Sequence, residues 1–181
     1  MTWAIWITGL PGSGKSVIAD KVRQILQERV KVLELDEIRK FITPKPSYSD
    51  DERDIVYASL VYMAKLLVAS GISVIIDATA NRRRYRDRAR ATIPNFAEVY
   101  VKCSLDTCME RERDRKATYA PTGIYKKSEN EGATVPGVNV PYEEPLNPEV
   151  VEDSEQMSVK ECAERVVAFI IKQGWSGEEK R

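Results

Sequence analysis

Gly9-Leu10-Pro11-Gly12-Ser13-Gly14-Lys15-Ser16 decides how the rest of this chain is read. Two glycines separated by four residues, followed by lysine and serine, form the pattern of a P-loop. The apolar run Trp3-Ala4-Ile5-Trp6-Ile7 stands before it and a helical pattern after it, so strand, loop and helix come in the required order. Small residues let the backbone N–H groups of Gly12, Ser13, Gly14 and Lys15 converge on a phosphate, and glycine reaches the backbone angles of such a nest. The helix adds unpaired N–H groups and the positive end of its dipole. Lys15 is expected to reach the β- and γ-phosphates, and the Ser16 hydroxyl to ligate Mg²⁺. Gly9, Pro11, Gly12, Ser13, Gly14, Lys15 and Ser16 are therefore the expected ATP-binding set. A bare glycine-rich turn is the bland alternative, and the complete motif argues against it.

Outward from the loop, 181 residues fit one domain, taken as 1–181. Lys+Arg and Asp+Glu both number 28, so the formal charge is zero, which argues against broad binding to nucleic acid or membrane. Cys103, Cys108 and Cys162 lack metal-ligand spacing, and with no histidine a zinc site has no ordinary ligands. Free thiols in a reducing compartment, an N-terminus that enters a strand at once and the lack of a long apolar run predict a cytoplasmic protein. General-base chemistry without histidine falls to a carboxylate.

The apolar positions Ile18, Val22, Ile25 and Leu26 predict one buried face on the helix after the loop. Val30 to Asp36 reads as a second strand ending on an acid, with a short helix from Leu35 to Phe41 stopped by Pro44 and Pro46. Ser49-Asp50-Asp51-Glu52 is a capping-box signature, followed by a stripe of Tyr57, Leu60, Val61, Ala64, Leu67 and Val68 that Gly71 closes. Ile72 to Asp77 is a third strand, again ending on an acid; a basic helix from Asn81 to Ala91, a strand from Ala97 to Cys103 and a helix from Leu105 to Asp114 follow. From Arg115 to Pro148 the periodicity disappears, which predicts a mobile lid over 115–148. A weak strand from Glu149 to Glu152, a capped helix from Ser158 and a frayed tail from Ser176 to Arg181 complete the chain. The alternation predicts an α/β fold, a three-layer sandwich with a five-stranded parallel sheet and the ligand beyond the carboxyl ends of its strands. Gly9, Asp36 and Asp77 fall there.

No guanine-reading Asn-Lys-x-Asp segment is present, and small size with acids at strand ends points to a small-molecule kinase. Arg111, Arg113 and Arg115 either close over the transferred group or alternate with Glu110, Glu112 and Asp114 on a solvated face. The chain resembles adenylylsulfate kinase, which phosphorylates the 3′-hydroxyl of adenosine 5′-phosphosulfate (APS). The segments that carry the resemblance are Leu35-Asp36-Glu37-Ile38-Arg39, Tyr48-Ser49-Asp50-Asp51-Glu52-Arg53, Gly123-Ile124-Tyr125-Lys126-Lys127 and Gly137-Val138-Asn139-Val140-Pro141-Tyr142-Glu143-Glu144-Pro145. It implies Asp36 as the catalytic carboxylate beside Lys15, and Arg39 and Arg53 as substrate-binding arginines. It also implies that Tyr48 stacks on the substrate adenine and that the lid, with Lys126 and Lys127, covers both nucleotides. Thr79, Asn81, Arg83 and Val135 complete the expected substrate set; Ser16, from the P-loop, and Asp77, from its strand end, are the expected Mg²⁺ set, Asp77 acting through Mg²⁺-bound water or Lys15 unless it only caps a neighbouring turn.

The departures from the family pattern are local. Glu34-Leu35-Asp36 stands for Asp-Gly-Asp, Val56-Tyr57-Ala58 for Asn-Ile-Arg, and Val135-Pro136-Gly137 for Phe-Thr-Gly. Thr79-Ala80-Asn81 stands for Ile-Ser-Pro, so no phosphoserine intermediate forms at Ala80. In the run Arg82 to Arg90, Arg83 and Arg86 are the expected anion contacts. Two other readings stay open: a P-loop kinase of a sugar, antibiotic or RNA-linked hydroxyl, and a nucleotide-dependent module that uses the arginine helix to hold RNA or a partner. A homodimer also stays open.

Overall fold

The computed structural model describes residues 1–26, 29–114 and 121–176. Five strands form one parallel sheet in the order β2-β3-β1-β4-β5: β1 (Ala4–Thr8), β2 (Val30–Glu34), β3 (Ser73–Asp77), β4 (Phe96–Lys102) and β5 (Val150–Asp153). All five residues of β1 are buried, as a central strand covered on both faces must be. Its side chains alternate between two cores. Trp3, Ile5 and Ile7 pack with Ile18 and Val22 of α1 (Lys15–Leu26) and with Val166 and Ile170 of α7 (Val159–Lys172). Ala4 and Trp6 pack with Leu60 of α3 (Asp50–Ala69) and Tyr85 of α4 (Arg83–Thr92). α2 (Leu35–Ile42) follows β2 without a linker, and α5 (Leu105–Asp114) spans the expected residues.

The helix ends follow their chemistry. At α7 the Ser158 hydroxyl accepts from the Glu161 N–H while Glu161 returns to Ser158, a complete capping box. At α3 only half of the expected box forms. Ser49 accepts from the Glu52 N–H at 3.2 Å, but the Glu52 carboxylate turns to Ser47, Tyr48 and Arg39 instead. The strand expected to run to Asp36 ends at Glu34, because Leu35 begins α2. Within the described part of the lid, 121–148, the expected irregularity is broken by α6 (Ile124–Lys127) and an isolated bridge between Pro136 and Val140. Arg115 and the tail beyond Ser176 lie outside the described residues.

The sheet register sets the site. Ile7 of β1 and Glu34 of β2 are both paired with Asp77 of β3, so the carboxyl ends of the three strands lie side by side. β1 is flanked by β3 and β4, and the connections leaving β1 and β3 pass to opposite faces, which opens a crevice above the P-loop.

Candidate active site

The loop between β1 and α1 requires its glycines. Gly12 has φ +84°, and a Cβ there would run into the Cys108 carbonyl of α5. A Cβ on Gly9 would stand 2.6 Å from the Val101 carbonyl oxygen and 2.7 Å from Ser13 Oγ. α1 begins at Lys15, so its first N–H groups have no partner within the helix and face the loop. Lys15 Nζ donates to the Leu10 carbonyl at 2.9 Å, which folds the ammonium back over the loop. Beside it, the Asp77 carboxylate is buried. Burial pushes its pKa up, against the pull of Lys15 and of a hydrogen bond from the Ser16 hydroxyl.

A cleft of about 340 Å³ extends from this phosphate end. Pro11, Lys15, Ser16 and Asp77 line one end of it; Asp36, Arg39, Tyr48, Arg53, Thr79, Asn81 and Val135 line the remainder. Asp36 lies in the first turn of α2, and Arg39 in its last turn. Arg39 ion-pairs with Glu52 at 2.9 Å and places its guanidinium 5.0 Å over the Tyr48 ring. Tyr48 has φ +57°, a cost of about 1–2 kcal/mol for an L-residue. The Glu52 carboxylate offsets that strain by accepting from the Ser47 and Tyr48 N–H groups at 2.5 and 3.3 Å. Burial alone would raise the Glu52 pKa, but these bonds and Arg39 hold it below the usual range. Arg53 donates from Nη2 to the Thr134 carbonyl at 2.6 Å and its hydroxyl at 3.1 Å, tying α3 to the lid. Its Nη1 is buried with no hydrogen-bond partner among the described residues.

The turn 78–81 joins the two ends, and four side chains from three elements, β1, α3 and α4, hold its backbone. Trp6 Nε1 donates to the Ala78 carbonyl at 3.0 Å, and Thr8 Oγ1 to the Thr79 carbonyl at 2.6 Å. The Ala80 N–H donates to Tyr57 Oη at 3.0 Å, and the Ala80 carbonyl accepts from Arg86 Nη1. Ala80 is thereby held at φ +46°. Tyr57 lines the cleft, stacks on Tyr85 at 4.2 Å between centroids, and has its pKa pushed up to about 12 by burial.

The structure does not bring Arg83 and Lys126 to this cleft. The Arg83 N–H donates to the Glu143 carboxylate at 2.8 Å and its Nη1 to the Glu144 carbonyl at 3.2 Å. On α6 Tyr125 takes the inward position, donating to the Pro11 carbonyl at 2.6 Å; Lys126 is turned outward, and Lys127 lines the cleft instead. The reading of Arg86 as an anion contact is corrected. Its guanidinium is 1% exposed and ion-pairs with Glu98 through Nε at 2.5 Å, with Nη2 on the Glu143 carbonyl. Arg111 bonds Ser154 and the Ser13 carbonyl, so it braces the P-loop from behind. Sequence reasoning missed Tyr57, which lines the cleft wall together with Glu34. Tyr57 was hidden in an apolar stripe; Glu34 was visible as a strand-end acid. Burial and the nearby Asp77 and Asp36 push the Glu34 carboxyl up to about 7.

A family profile described as adenylylsulphate kinase matches residues 1–153. The chain belongs to the adenylylsulfate kinase family. The adenylyl-sulfate kinase of Bacillus velezensis is 39% identical over 92% of this chain and 83% of its own length. The probable adenylyl-sulfate kinase of Pyrococcus abyssi is 37% identical over 91% of this chain and 92% of its own. Among solved structures, the APS kinase CysC of Mycobacterium tuberculosis, in complex with AMPPNP and APS, superposes with a TM-score of 0.81. It is 28% identical, over 94% of this chain and 98% of that one. No helix among the described residues is long and apolar enough to cross a membrane.

Proposed function

We propose that this protein transfers the γ-phosphoryl group of ATP to the 3′-hydroxyl of APS, giving 3′-phosphoadenylyl sulfate, a step of sulfate assimilation. One observation carries the reading: a single cleft holds the P-loop lysine and serine at one end and Asp36, Arg39, Tyr48 and Arg53 at the other. Phosphoryl transfer asks the protein chiefly to align donor and acceptor and to neutralise charge. The loop N–H groups and Lys15 hold the ATP phosphates. Tyr48 stacks on the adenine of APS while Arg39 and the spare Nη1 of Arg53 receive its anionic end. Asp36 takes or orients the proton of the 3′-hydroxyl. Val135 gives apolar contact from the lid, and Thr79 and Asn81 form the floor between the two nucleotides. Residues 121–148 cover the cleft and exclude water.

The donors near the phosphate end suit a hard divalent cation. Ser16 and Asp77 offer a hydroxyl and a carboxylate already in contact, and among the described residues no cluster of His, Cys, Asp or Glu forms a separate metal cage. That is the pattern of Mg²⁺, which is held by one or two protein oxygens together with substrate phosphates. When bound there it supplies charge neutralisation on the transferring group.

The alternative of an RNA-holding arginine helix loses all of its free cations but one, the exposed Arg88. Arg82, Arg83, Arg84, Arg86 and Arg90 are all engaged with acidic side chains or carbonyls of this chain. The test is incubation of purified protein with Mg²⁺-ATP and a panel of acceptors that includes APS, with products resolved by anion-exchange chromatography. Formation of 3′-phosphoadenylyl sulfate is the expected result. Phosphorylation of a different acceptor with none of APS would overturn the assignment and leave only a P-loop kinase.

A further inference from the structure

Four donors converge on the carboxylate of Glu52, which stands behind the acceptor end of the cleft. Oε1 accepts from Arg39 Nη1 at 2.9 Å and from the Tyr48 N–H at 3.3 Å. Oε2 accepts from the Ser47 N–H at 2.5 Å and from the Ser47 hydroxyl at 2.7 Å. Glu52 is the third residue of α3, the position from which a glutamate ordinarily returns to the N–H of the capping serine. Here that Ser49 N–H goes to Ser47 Oγ at 3.3 Å, and the carboxylate reaches the loop and α2 instead. Arg39, Ser47 and Tyr48, the residues it holds, all line the cleft; Glu52 lies in the layer behind them.

We propose that, on the function proposed above, Glu52 is a positioning residue for the acceptor: one carboxylate sets both the ring that stacks on the base and the arginine that meets the anionic end. Tyr48 needs the support. Its φ of +57° is unfavourable for an aromatic L-residue, and an N–H held by a carboxylate fixes the backbone that aims the ring. Arg39 needs it too. Its guanidinium lies 5.0 Å over one face of the Tyr48 ring, so a base stacks on the other, and Glu52 keeps that guanidinium in register. An ionised carboxylate presents about four lone-pair sites and can accept all of these bonds. A carboxamide of the same shape cannot, because its NH₂ group must face either Arg39 and Tyr48 or the two donors of Ser47.

Steady-state kinetics and hydrogen exchange on the full chain test this. Glu52→Gln is expected to raise the KM for APS about 10- to 100-fold, the equivalent of one charge-assisted hydrogen bond, with the KM for ATP unchanged. Without any ligand, the amides of Ser47 and Tyr48 should exchange faster in Glu52→Gln than in the wild type. Ser49→Ala separates positioning from stability. It removes the bond that caps the same helix, so it should lower Tm while the KM for APS stays at the wild-type value. An unchanged KM for APS in folded Glu52→Gln, equal rises in both KM values, or an equal rise in Ser49→Ala would each overturn the positioning role. A wild type that phosphorylates another acceptor and not APS overturns the proposed function instead. The two amides then decide for Glu52: faster exchange in Glu52→Gln sustains its role, and an unchanged rate overturns it.

Discussion

Arg86→Met separates two meanings of one residue. In the sequence Arg86 looks like an anion contact; in the structure it is a buried post. Its Nε pairs with Glu98 at 2.5 Å, and its Nη groups hold the Ala80 and Glu143 carbonyls. Removing one partner of a buried pair costs about 3–5 kcal/mol, because the other charge is left in a low-dielectric site. Arg90 remains 3.4 Å from Glu98, so the lower end, about 3 kcal/mol, is expected. For a domain of this size each kcal/mol lowers Tm by about 2–4 °C, so the variant should melt about 6–12 °C below wild type. The assay is thermal unfolding without ligands, followed by circular dichroism. Arg86→Met combined with Glu98→Leu should recover most of the loss, since the stranded carboxylate is gone. A Tm within about 2 °C of wild type, together with a raised KM for APS, would refute the structural role and restore the anion contact.

Lys15→Ala should lose about 3 kcal/mol of transition-state stabilisation, about a hundredfold in kcat, in phosphate-release or coupled kinase assays. Asp36→Asn should depress kcat with the KM for ATP nearly unchanged, and Asp77→Asn should instead shift the Mg²⁺ dependence; equal small effects would mean that both acids only support loops. Glu34 titrates near 7 in the folded protein, raised chiefly by burial from 4.5. Its neutral form is favoured by folding, so its contribution to stability is present below 4.5 and is lost as pH rises through about 7. Glu34→Gln should therefore melt above wild type at pH 8 and match it near pH 4.5, and a constant difference across that range would disprove the titration.

What was legible in the sequence was local. The P-loop is a contiguous motif whose backbone demands a fixed residue at each place. The start of α7 follows from Ser158 and Glu161, within one turn of the chain. The strand at Val30 was overrun because Leu35 continues its alternation, and only the helical hydrogen bonds of α2 end it. Tyr57 sits in a stripe that reads as core, and it is core; its hydroxyl acquires a second task from the Ala80 N–H, 23 residues along the chain. The arginines from Arg82 to Arg90 look alike in sequence. Their roles are decided by Glu143, Asp54, Glu98 and Glu149, which the fold brings from four other segments. The half-formed box at Ser49 has the same origin, since Arg39 competes for Glu52.

Alignment of two nucleotides in one cleft needs the two ends to share a rigid support, and Thr8 shows how this chain provides it. Thr8 is the last residue of β1, next to Gly9 of the P-loop. Its single hydroxyl proton goes to the Thr79 carbonyl at 2.6 Å, so the Tyr142 hydroxyl, 2.9 Å away, must be the donor to Thr8 Oγ1. One threonine thus links the phosphate loop, the turn beneath the acceptor and the stem by which the lid returns. Arg86 doubles the link by holding Ala80 and Glu143 together, and the Glu143 N–H donates to the Asn81 carbonyl at 2.7 Å. The part of the lid nearer α6 has a different anchorage, through Tyr125 on the Pro11 carbonyl and Thr134 on Arg53. The stem is fixed by bonds to β1, to α4 and to the 78–81 turn, whereas the tip is held by Tyr125 on Pro11 and Thr134 on Arg53. On the proposed function, opening that breaks only the tip contacts would admit substrates without disturbing the turn proposed to align them, which is the division of labour an in-line transfer requires.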